Sequence, residues 1–195
     1  MNCAIPRSAA AATVIATLEA TLGAALRERP DPVSGPAYLT PTMIDGGLAP
    51  NIVPDRCEIL FDRRLSPKET PETALADLAR VLRELHASHG IDAELEKPIV
   101  ALAGLDTAPE SPVVVAAEHA VTAVLGRDIR AGGVTYSTDA CYLAGTGGLP
   151  CVVLGPGSID QAHAAVEWVE LDEVVASADI YLQLALEFDR LSRGD

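Results

Sequence analysis

The spacing of apolar residues near the start of the chain predicts a helix. Apolar side chains recur every three or four positions, at Val14, Leu18, Leu22 and Ala25. Pro6 suits the first turn of this helix, and the proline-rich loop at 30–36 ends it. Arg7 and Glu19 interrupt the apolar run, which favours an amphipathic helix over a secretion signal. We expect no membrane span, because no run approaches the roughly 18 apolar residues that a span requires.

The next two segments predict strands. "AYLTPTMIDGG" is typical of a strand, and Pro41 within it indicates an edge strand or a bulge. In "CEILFDRRL" successive side chains point to opposite sides. The two faces are Cys57, Ile59 and Phe61 on one side and Glu58, Leu60, Asp62 and Arg64 on the other. The first face suits packing against helices, and the second carries polar groups that could reach a ligand.

A second helix and a third strand follow. Thr70 is a good N-cap with Pro71 behind it, and Gly90 ends the helix. Its apolar stripe consists of Leu75, Leu78, Leu82 and Leu85. Alternation of apolar and acidic residues then predicts a strand at "IDAELEK", closed by Pro98. The order α-β-β-α-β is that of a ferredoxin-like fold whose first strand is missing.

The pattern changes after the loop "LAGLDTAPESP", which we take as a domain boundary between residues 1–104 and 105–195. Ser111 and Pro112 begin a helix whose inward residues are Val114, Ala117, Val121 and Val124. "LPCVVLG" is a continuous apolar run, typical of a strand buried on both faces of a parallel sheet. A terminal helix is marked by Val174, Ala178, Tyr181, Ala185 and Phe188. The predicted class is α/β (α+β), with too little material after residue 105 for a complete doubly wound domain.

Composition narrows the functional classes. The chain is 49% hydrophobic, enough for a core, and its net charge of −14 argues against a nucleic-acid surface. Four cysteines lie far apart without a C-x-x-C pair, which is typical of free thiols in a reducing compartment: Cys3, Cys57, Cys141 and Cys151. These features together predict a soluble cytoplasmic protein that binds neither nucleic acid nor membrane.

Histidine positions offer the first candidate chemistry. His86 and His89 lie at a helix end, where a cation is favoured, and His119 lies within a helix, so we expect structural roles for them. His163 follows a predicted strand and the turn "GPG", a position where α/β proteins form sites. The pattern alone leaves open whether it binds a metal, since no H-x-H, H-x-D or H-E-x-x-H occurs. The ordinary interpretation of the nearby carboxylates Asp139, Asp160 and Glu167 is that they are surface residues, and that of the "GPG" glycines is a tight turn.

Three segments in order carry a family resemblance: "APNIVPDRCEILFDRRLSP", "YSTDACYLAGTGGLPCVVLGPG" and "QAHAAVEWVEL". Together they resemble the zinc-dependent amide hydrolases that include acetylornithine deacetylase, succinyl-diaminopimelate desuccinylase, aminoacylase and glutamate carboxypeptidase. The resemblance covers nearly the whole chain but only the later half of a family member. It implies a ferredoxin-like dimerisation lid at 1–104, followed by the C-terminal part of an α/β/α zinc-peptidase domain at 105–195.

The resemblance also implies substrate-binding residues. Asn51 corresponds to an asparagine that contacts substrate, often across the dimer, and Arg64 to the arginine that grips the substrate carboxylate. A guanidinium fork suits this task because it binds both oxygens at once. An Asp62–Arg64 surface pair remains the structural alternative for this arginine. The pocket residues implied in the second part are Thr138, Asp139, Gly155, Pro156 and Gly157.

His163 corresponds to the last zinc ligand of the family. Complete members hold two zinc ions, with cobalt as an alternative, and use a glutamate as general base. The other metal ligands and the general base match nothing in this chain, and the residues after His163 depart from the family pattern. The resemblance therefore implies no catalytic residue here and a site that this chain does not complete alone. We expect a truncated hydrolase that pairs as a homodimer through its lid or with a complementary N-terminal half; the alternative is a non-catalytic dimerising or ligand-binding module.

Overall fold

A computed structural model describes residues 7–162 and 164–194, which form two compact units. The first unit contains the described residues up to Gly104 together with Gly133–Ser137. The second contains Leu105–Gly132 and the described residues from Thr138 onward. The chain therefore returns to the first unit for five residues before it completes the second.

The first unit begins with the predicted helix. Helix α1 covers Arg7–Leu18, a π-helical turn covers Glu19–Gly23, and α2 covers Ala24–Arg27. The carboxylate of Glu19 lies over Gly23, where an added Cβ would stand 2.6 Å from Glu19 Oε2. Glu19 also accepts a hydrogen bond of 2.7 Å from Arg27. The wider turn thus accommodates a carboxylate that only glycine leaves room for.

The stretch Ala9–Arg27 is long and apolar enough, by length and composition, to cross a membrane, with a mean hydropathy of 1.6. By this measure the prediction that no stretch qualifies is wrong. Only 22% of the window is buried, although Val14 and Leu18 lie in the core of the first unit. A core helix or a signal sequence meets the same test, so one such helix near the N-terminus is weak evidence for a span.

A two-stranded antiparallel hairpin forms the sheet of the first unit. Strand β1 covers Tyr38–Gly46 and pairs with β2 at Cys57–Arg64. The register shifts between Pro41 and Met43, which confirms the predicted bulge. The shift follows from the chemistry of proline, which has no N–H to donate to the ladder.

Helix α3, Pro71–His89, closes the core of this unit. Thr70 and Thr73 form a capping box at its start, and Gly90 ends it with a φ of 64°. The buried cluster joins the first helix, the hairpin and α3: Val14, Leu18, Leu39, Val81, Leu85 and Ile91. Ile59 and Phe61 pack against it, as predicted for the apolar face of β2.

The predicted third strand does not form. "IDAELEK" has no strand pairing, and the sheet formed by the described residues has two strands. Ile91 is buried in the core, but Leu95 is 40% exposed. A strand requires a neighbouring edge for its hydrogen bonds, and no described segment pairs with this one. The alternating pattern indicates a local preference for extended backbone, but the prediction that this segment pairs as a strand is wrong.

The second unit is helical. Helices α4 (Pro112–Leu125), α5 (Ala140–Gly145) and α6 (Leu171–Arg193) are joined by loops and a 3₁₀ turn at Ile159–Gln161. Helices α4 and α6 pack together through Ala120, Val121 and Ile180. These helices agree with the predicted ones around Ser111 and after Glu170.

One prediction for this unit is wrong. "LPCVVLG" forms no strand, and Val153 is 45% exposed; instead the Thr107 hydroxyl accepts from Cys151 N at 3.1 Å and donates to Cys151 O at 2.6 Å. The predicted terminal helix forms as α6, in which Ser177 and Ile180 are buried and Tyr181 is exposed. The error about "LPCVVLG" concerns its partners, because an apolar segment is buried only where another segment covers it.

Candidate functional site

Arg64 ends β2 on the polar face of the hairpin, opposite Tyr38. Its Nε donates to Asp62 Oδ2 at 3.0 Å, and its Nη1 donates to Ser137 Oγ at 3.3 Å. The side chain is 35% exposed. Its Nη2 has no hydrogen-bond partner in the part of the chain that the structure describes. Asp62 therefore orients the guanidinium without occupying all of its donors.

The neighbouring Arg63 points to the other face of β2, toward the helices. Its Nη1 donates to the backbone carbonyl of Arg64, and its Nη2 pairs with Glu69 Oε1. Only 12% of its side chain is exposed. The sequence pattern does not mark Arg63, Glu69 or Ser137 as functional residues. The signal in the sequence is the S-x-x-E spacing of Ser66 and Glu69 just before a helix, which is typical of two residues that exchange hydrogen bonds.

Asn51 lies in the loop between β1 and β2 and is exposed. The two sides of this loop lie close together at Gly47, where an added Cβ would stand 3.5 Å from Pro54 Cγ. Asn51 lies between these two residues in sequence and therefore at the tip of the hairpin. Arg64 lies at the far end of β2, which has eight residues, and a strand of that length spans about 23 Å. Within one copy of the chain these two predicted substrate residues lie at opposite ends of the hairpin.

Thr138 and Asp139 begin α5 in the second unit. Thr138 Oγ1 accepts from Ala140 N at 3.2 Å, and its carbonyl accepts from Cys141 N at 3.0 Å. The side chain of Asp139 is exposed and makes no capping hydrogen bond. Thr138 therefore shapes the turn at the start of α5 through its hydroxyl and its carbonyl.

The turn at Gly155, Pro156 and Gly157 is attached to α6. Gly157 has a φ of 85°, and its N–H donates to Glu173 Oε2 at 2.8 Å. Tyr181 donates its hydroxyl to the carbonyl of Leu154 at 3.1 Å. The N–H of Gly157 is thus bound to a side chain of the same unit. Glu173 and Tyr181 were not anticipated, and the place of Glu173 in the first turn of α6 was the available signal.

His163 lies outside the described residues. Within 7–162 and 164–194, no group of three or more His, Cys, Asp and Glu side chains is arranged to hold a metal ion. The histidines within the described residues each have a polar partner. Those contacts are His86 Nδ1 with Asp92 at 2.8 Å, His89 Nδ1 with Ser88 at 2.8 Å, and His119 Nδ1 with Glu187 at 2.8 Å.

A family model covers most of the chain and decides its relationship. The model for Peptidase family M20/M25/M40 matches residues 7–187. The chain belongs to this family. Membership confirms the resemblance drawn from the three sequence segments.

Over the aligned residues, M20 relatives are about a third or less identical to this chain. It is 32% identical over 152 residues to an acetylornithine deacetylase from Edwardsiella ictaluri, a match that covers 76% of this chain and 38% of the relative. It is 27% identical over 161 residues to a putative succinyl-diaminopimelate desuccinylase from Mycobacterium tuberculosis, covering 80% of this chain and 41% of the relative. The chain spans about two fifths of the length of these relatives.

A solved M20 structure shares the fold. The M20 metallo-carboxypeptidase Sso-CP2 from Sulfolobus solfataricus aligns with a TM-score of 0.60 at 17% identity, covering 89% of this chain and 42% of that one. The mixed helical and sheet architecture is therefore that of an M20 peptidase. Family membership implies a divalent metal ion. The described residues do not bring together three ligands for such an ion.

Proposed function

We propose that this chain forms the substrate-carboxylate grip of a metal-dependent hydrolase that cleaves linear amide bonds in N-acyl amino acids or small peptides. The observation that carries the proposal is the guanidinium of Arg64, aligned by Asp62 and Ser137 and still offering Nη2. A fork of parallel N–H donors matches the two oxygens of a carboxylate. Membership in the M20 family supplies the reaction class.

In this proposal each residue of the chain has a binding or orienting task. Arg64 holds the free carboxylate of the substrate, and the residues of the second unit proposed to contact substrate are Thr138, Asp139, Gly155, Pro156 and Gly157. His163 would be one ligand of a zinc pair, with cobalt as an alternative. When bound, such metals polarise the amide carbonyl and lower the pKa of a water nucleophile. No residue of this chain is proposed as the general base.

We further propose that residues 1–104 are a ferredoxin-like lid and residues 105–195 the C-terminal part of an α/β/α catalytic domain. Free thiols at Cys57, Cys141 and Cys151 support a reducing, cytoplasmic setting. A complementary N-terminal half is the proposed source of the remaining metal ligands and of the general base.

The positions of Asn51 and Arg64 support a homodimer. If both contact one small substrate, the hairpin tip that carries Asn51 must come from a second copy, because about 23 Å of strand separates the two within one copy. The tip also exposes Leu48 and Val53, at 83% and 74%. Exposed apolar side chains of this kind favour association. We propose that two lids pair so that each tip approaches the other copy's Arg64.

The carboxylate grip can be tested without catalysis. N-acetyl-L-alanine and its neutral carboxamide would be titrated into the ¹⁵N-labelled chain, with the Arg64 Nε–H signal assigned from Arg64→Lys. We expect the acid, and not the amide, to shift that signal and the signals of Asp62 and Ser137. Equal responses to the two ligands, or none to the acid, would contradict the proposed grip.

The metal part of the proposal has a separate test. Because the resemblance assigns a metal-ligand role to His163 alone, we expect the 195-residue chain to bind zinc weakly and to hydrolyse no N-acyl amino acid by itself. Equilibrium dialysis and an amide-hydrolysis assay measure this. Near-stoichiometric zinc that is lost in His163→Ala, or hydrolysis abolished by that change, would show that the chain completes a site on its own.

A further inference from the structure

The end of β2 contains a closed set of hydrogen bonds behind Arg64. Arg63 donates to the carbonyl of Arg64 through Nη1 and to Glu69 Oε1 through Nη2. The second oxygen of Glu69 accepts from Ser66 N at 2.7 Å. Ser66 in turn accepts from Glu69 N at 3.0 Å through its carbonyl. We call Arg63, Ser66 and Glu69 the β2 clamp.

The clamp acts on the backbone from which Arg64 projects. Successive residues of a strand point to opposite faces, so Arg63 reaches the carbonyl of Arg64 from the helical side while the Arg64 side chain stands on the polar side. The backbone of Gly104 packs closely on the loop that contains Ser66, because an added Cβ on Gly104 would lie 2.7 Å from Pro67 Cα and 3.2 Å from Ser66 O. These hydrogen bonds therefore join the end of β2 to the loop that follows it.

The partners of Arg63 leave it unsuited to bind a ligand. Its side chain is mostly buried, at 12% exposure, and its two terminal nitrogens are directed to Arg64 O and Glu69. Arg64 is more exposed, at 35%. Two adjacent arginines thus have different environments, and only the second can present its fork to solvent.

We infer that the β2 clamp positions Arg64 for carboxylate binding, with Arg63 and Glu69 as positioning residues. The inference rests on the proposed role of Arg64. A guanidinium is needed at position 63 because its two terminal nitrogens reach two acceptors at once, whereas a lysine ammonium acts as a single point charge. Small displacements of a binding group weaken a two-point contact steeply, so loosening the clamp lowers carboxylate affinity without removing any ligand contact.

The test uses Arg63→Lys and Glu69→Ala in the 195-residue chain. Glu84→Ala is the matched control, because Glu84 also pairs with an arginine (Arg80 Nη1, 3.1 Å) but on the surface of α3. The measurements are hydrogen exchange of the Arg64 Nε–H, affinity for N-acetyl-L-alanine and thermal unfolding. We expect both clamp variants to exchange the Arg64 Nε–H several-fold faster and to bind the acid about tenfold more weakly, with the Glu84→Ala control unchanged.

Adding Arg64→Ala to each clamp variant separates positioning from general stability. A positioning role predicts that the clamp changes have no further effect on acid binding once Arg64 is absent. Unchanged Nε–H exchange and affinity in folded clamp variants would overturn the inference, as would unfolding of both variants, since the clamp would then hold the fold. If the wild-type chain does not bind the acid, the proposed function fails, and the Nε–H exchange still decides whether the clamp orders Arg64.

Discussion

At the scale of single residues, the two adjacent arginines at the end of β2 differ in their hydrogen-bond partners. Arg64 donates to one carboxylate and one hydroxyl, and its Nη2 has no hydrogen-bond partner among the described residues. Arg63 instead donates to the backbone carbonyl of Arg64. The two sequence interpretations of Arg64, a surface pair with Asp62 and a carboxylate grip, are therefore compatible. An adjacent carboxylate that uses only Nε can align the fork without filling it.

Replacing Arg64 by alanine should weaken substrate capture more than folding. In a sample completed by an N-terminal half, we expect a loss of roughly 1.5–3 kcal/mol in kcat/KM, the value of a charge-assisted, two-point contact. Steady-state kinetics with an N-acyl amino acid measure this, and Arg80→Ala serves as the surface control. A melt that collapses while the folded fraction keeps its kinetics would show that Arg64 is structural.

At the scale of elements, caps and helix contacts account for local stability. Thr70 and Thr73 exchange side-chain and backbone hydrogen bonds at the start of α3, with Thr73 N donating to Thr70 Oγ1 at 3.3 Å and Thr70 N to Thr73 Oγ1 at 3.1 Å. Because α3 provides Val81 and Leu85 to the core of the first unit, a frayed start loosens that core.

Thr70→Ala should therefore destabilise the first unit by about 1 kcal/mol, the usual cost of losing an N-cap. Urea unfolding followed by circular dichroism measures the change. Thr21→Ala is the matched control, since the Thr21 hydroxyl only bonds back to Thr17 O within its own helix, at 2.7 Å. Equal midpoints for the two variants would contradict a stabilising cap.

The stability of the second unit should depend on pH through the carboxyl of Glu187. Arg190 first, and then His119, lowers the pKa of Glu187 to about 2 from an ordinary 4.5. A carboxyl whose pKa is depressed on folding contributes stability above its unfolded pKa and loses it as the pH falls toward the folded value. Stability from Glu187 is therefore present above about pH 4.5 and disappears toward pH 2.

Unfolding midpoints of the wild type and Glu187→Gln, compared from about pH 6 to about pH 2, should converge as the pH falls through this window. Asp189→Asn is the control, because Asp189 pairs with Arg193 at 2.9 Å within α6 itself. A constant difference between wild type and Glu187→Gln across the range would exclude the linkage.

At the scale of the whole molecule, the described residues include many exposed apolar side chains and two strand edges without a partner strand. The hairpin is the complete sheet of that part of the chain, so the outer edges of β1 and β2 carry unpaired N–H and C=O groups. Large apolar side chains on α6 are exposed, including Leu182 at 59% and Leu186 at 59%. Open strand edges and apolar faces both promote association.

We therefore expect the isolated chain to be marginally stable and oligomeric or prone to aggregation. Sedimentation velocity at several concentrations, combined with amide hydrogen exchange, tests this. Amides of "IDAELEK" should exchange quickly, because that segment has no strand partner among the described residues. A monodisperse monomer with strongly protected amides both there and in β2 would contradict the expectation, since the sheet would then be closed.

The sequence by itself determined the features that depend on neighbours within a few residues. These are the helix that begins at Arg7, the cap at Thr70, the glycine end at Gly90, the bulge beside Pro41 and the two faces of β2. Their causes are local. Pro41 has no N–H for the ladder, Gly90 adopts a positive φ, and the side chain of Thr70 accepts a hydrogen bond from the start of its own helix. The family, too, was recognisable from three short segments and was confirmed.

Only the tertiary structure decided which segments found partners. "IDAELEK" and "LPCVVLG" have strand-like patterns but form no strands, because a ladder needs an edge that their own residues cannot provide. The buried face of α6 follows from where α4 packs, which exposes Tyr181 and buries Ile180. The orientation of Arg64 depends on Ser137, 73 positions further along the chain. Such distant contacts leave no local signal, so they became visible only in the folded chain.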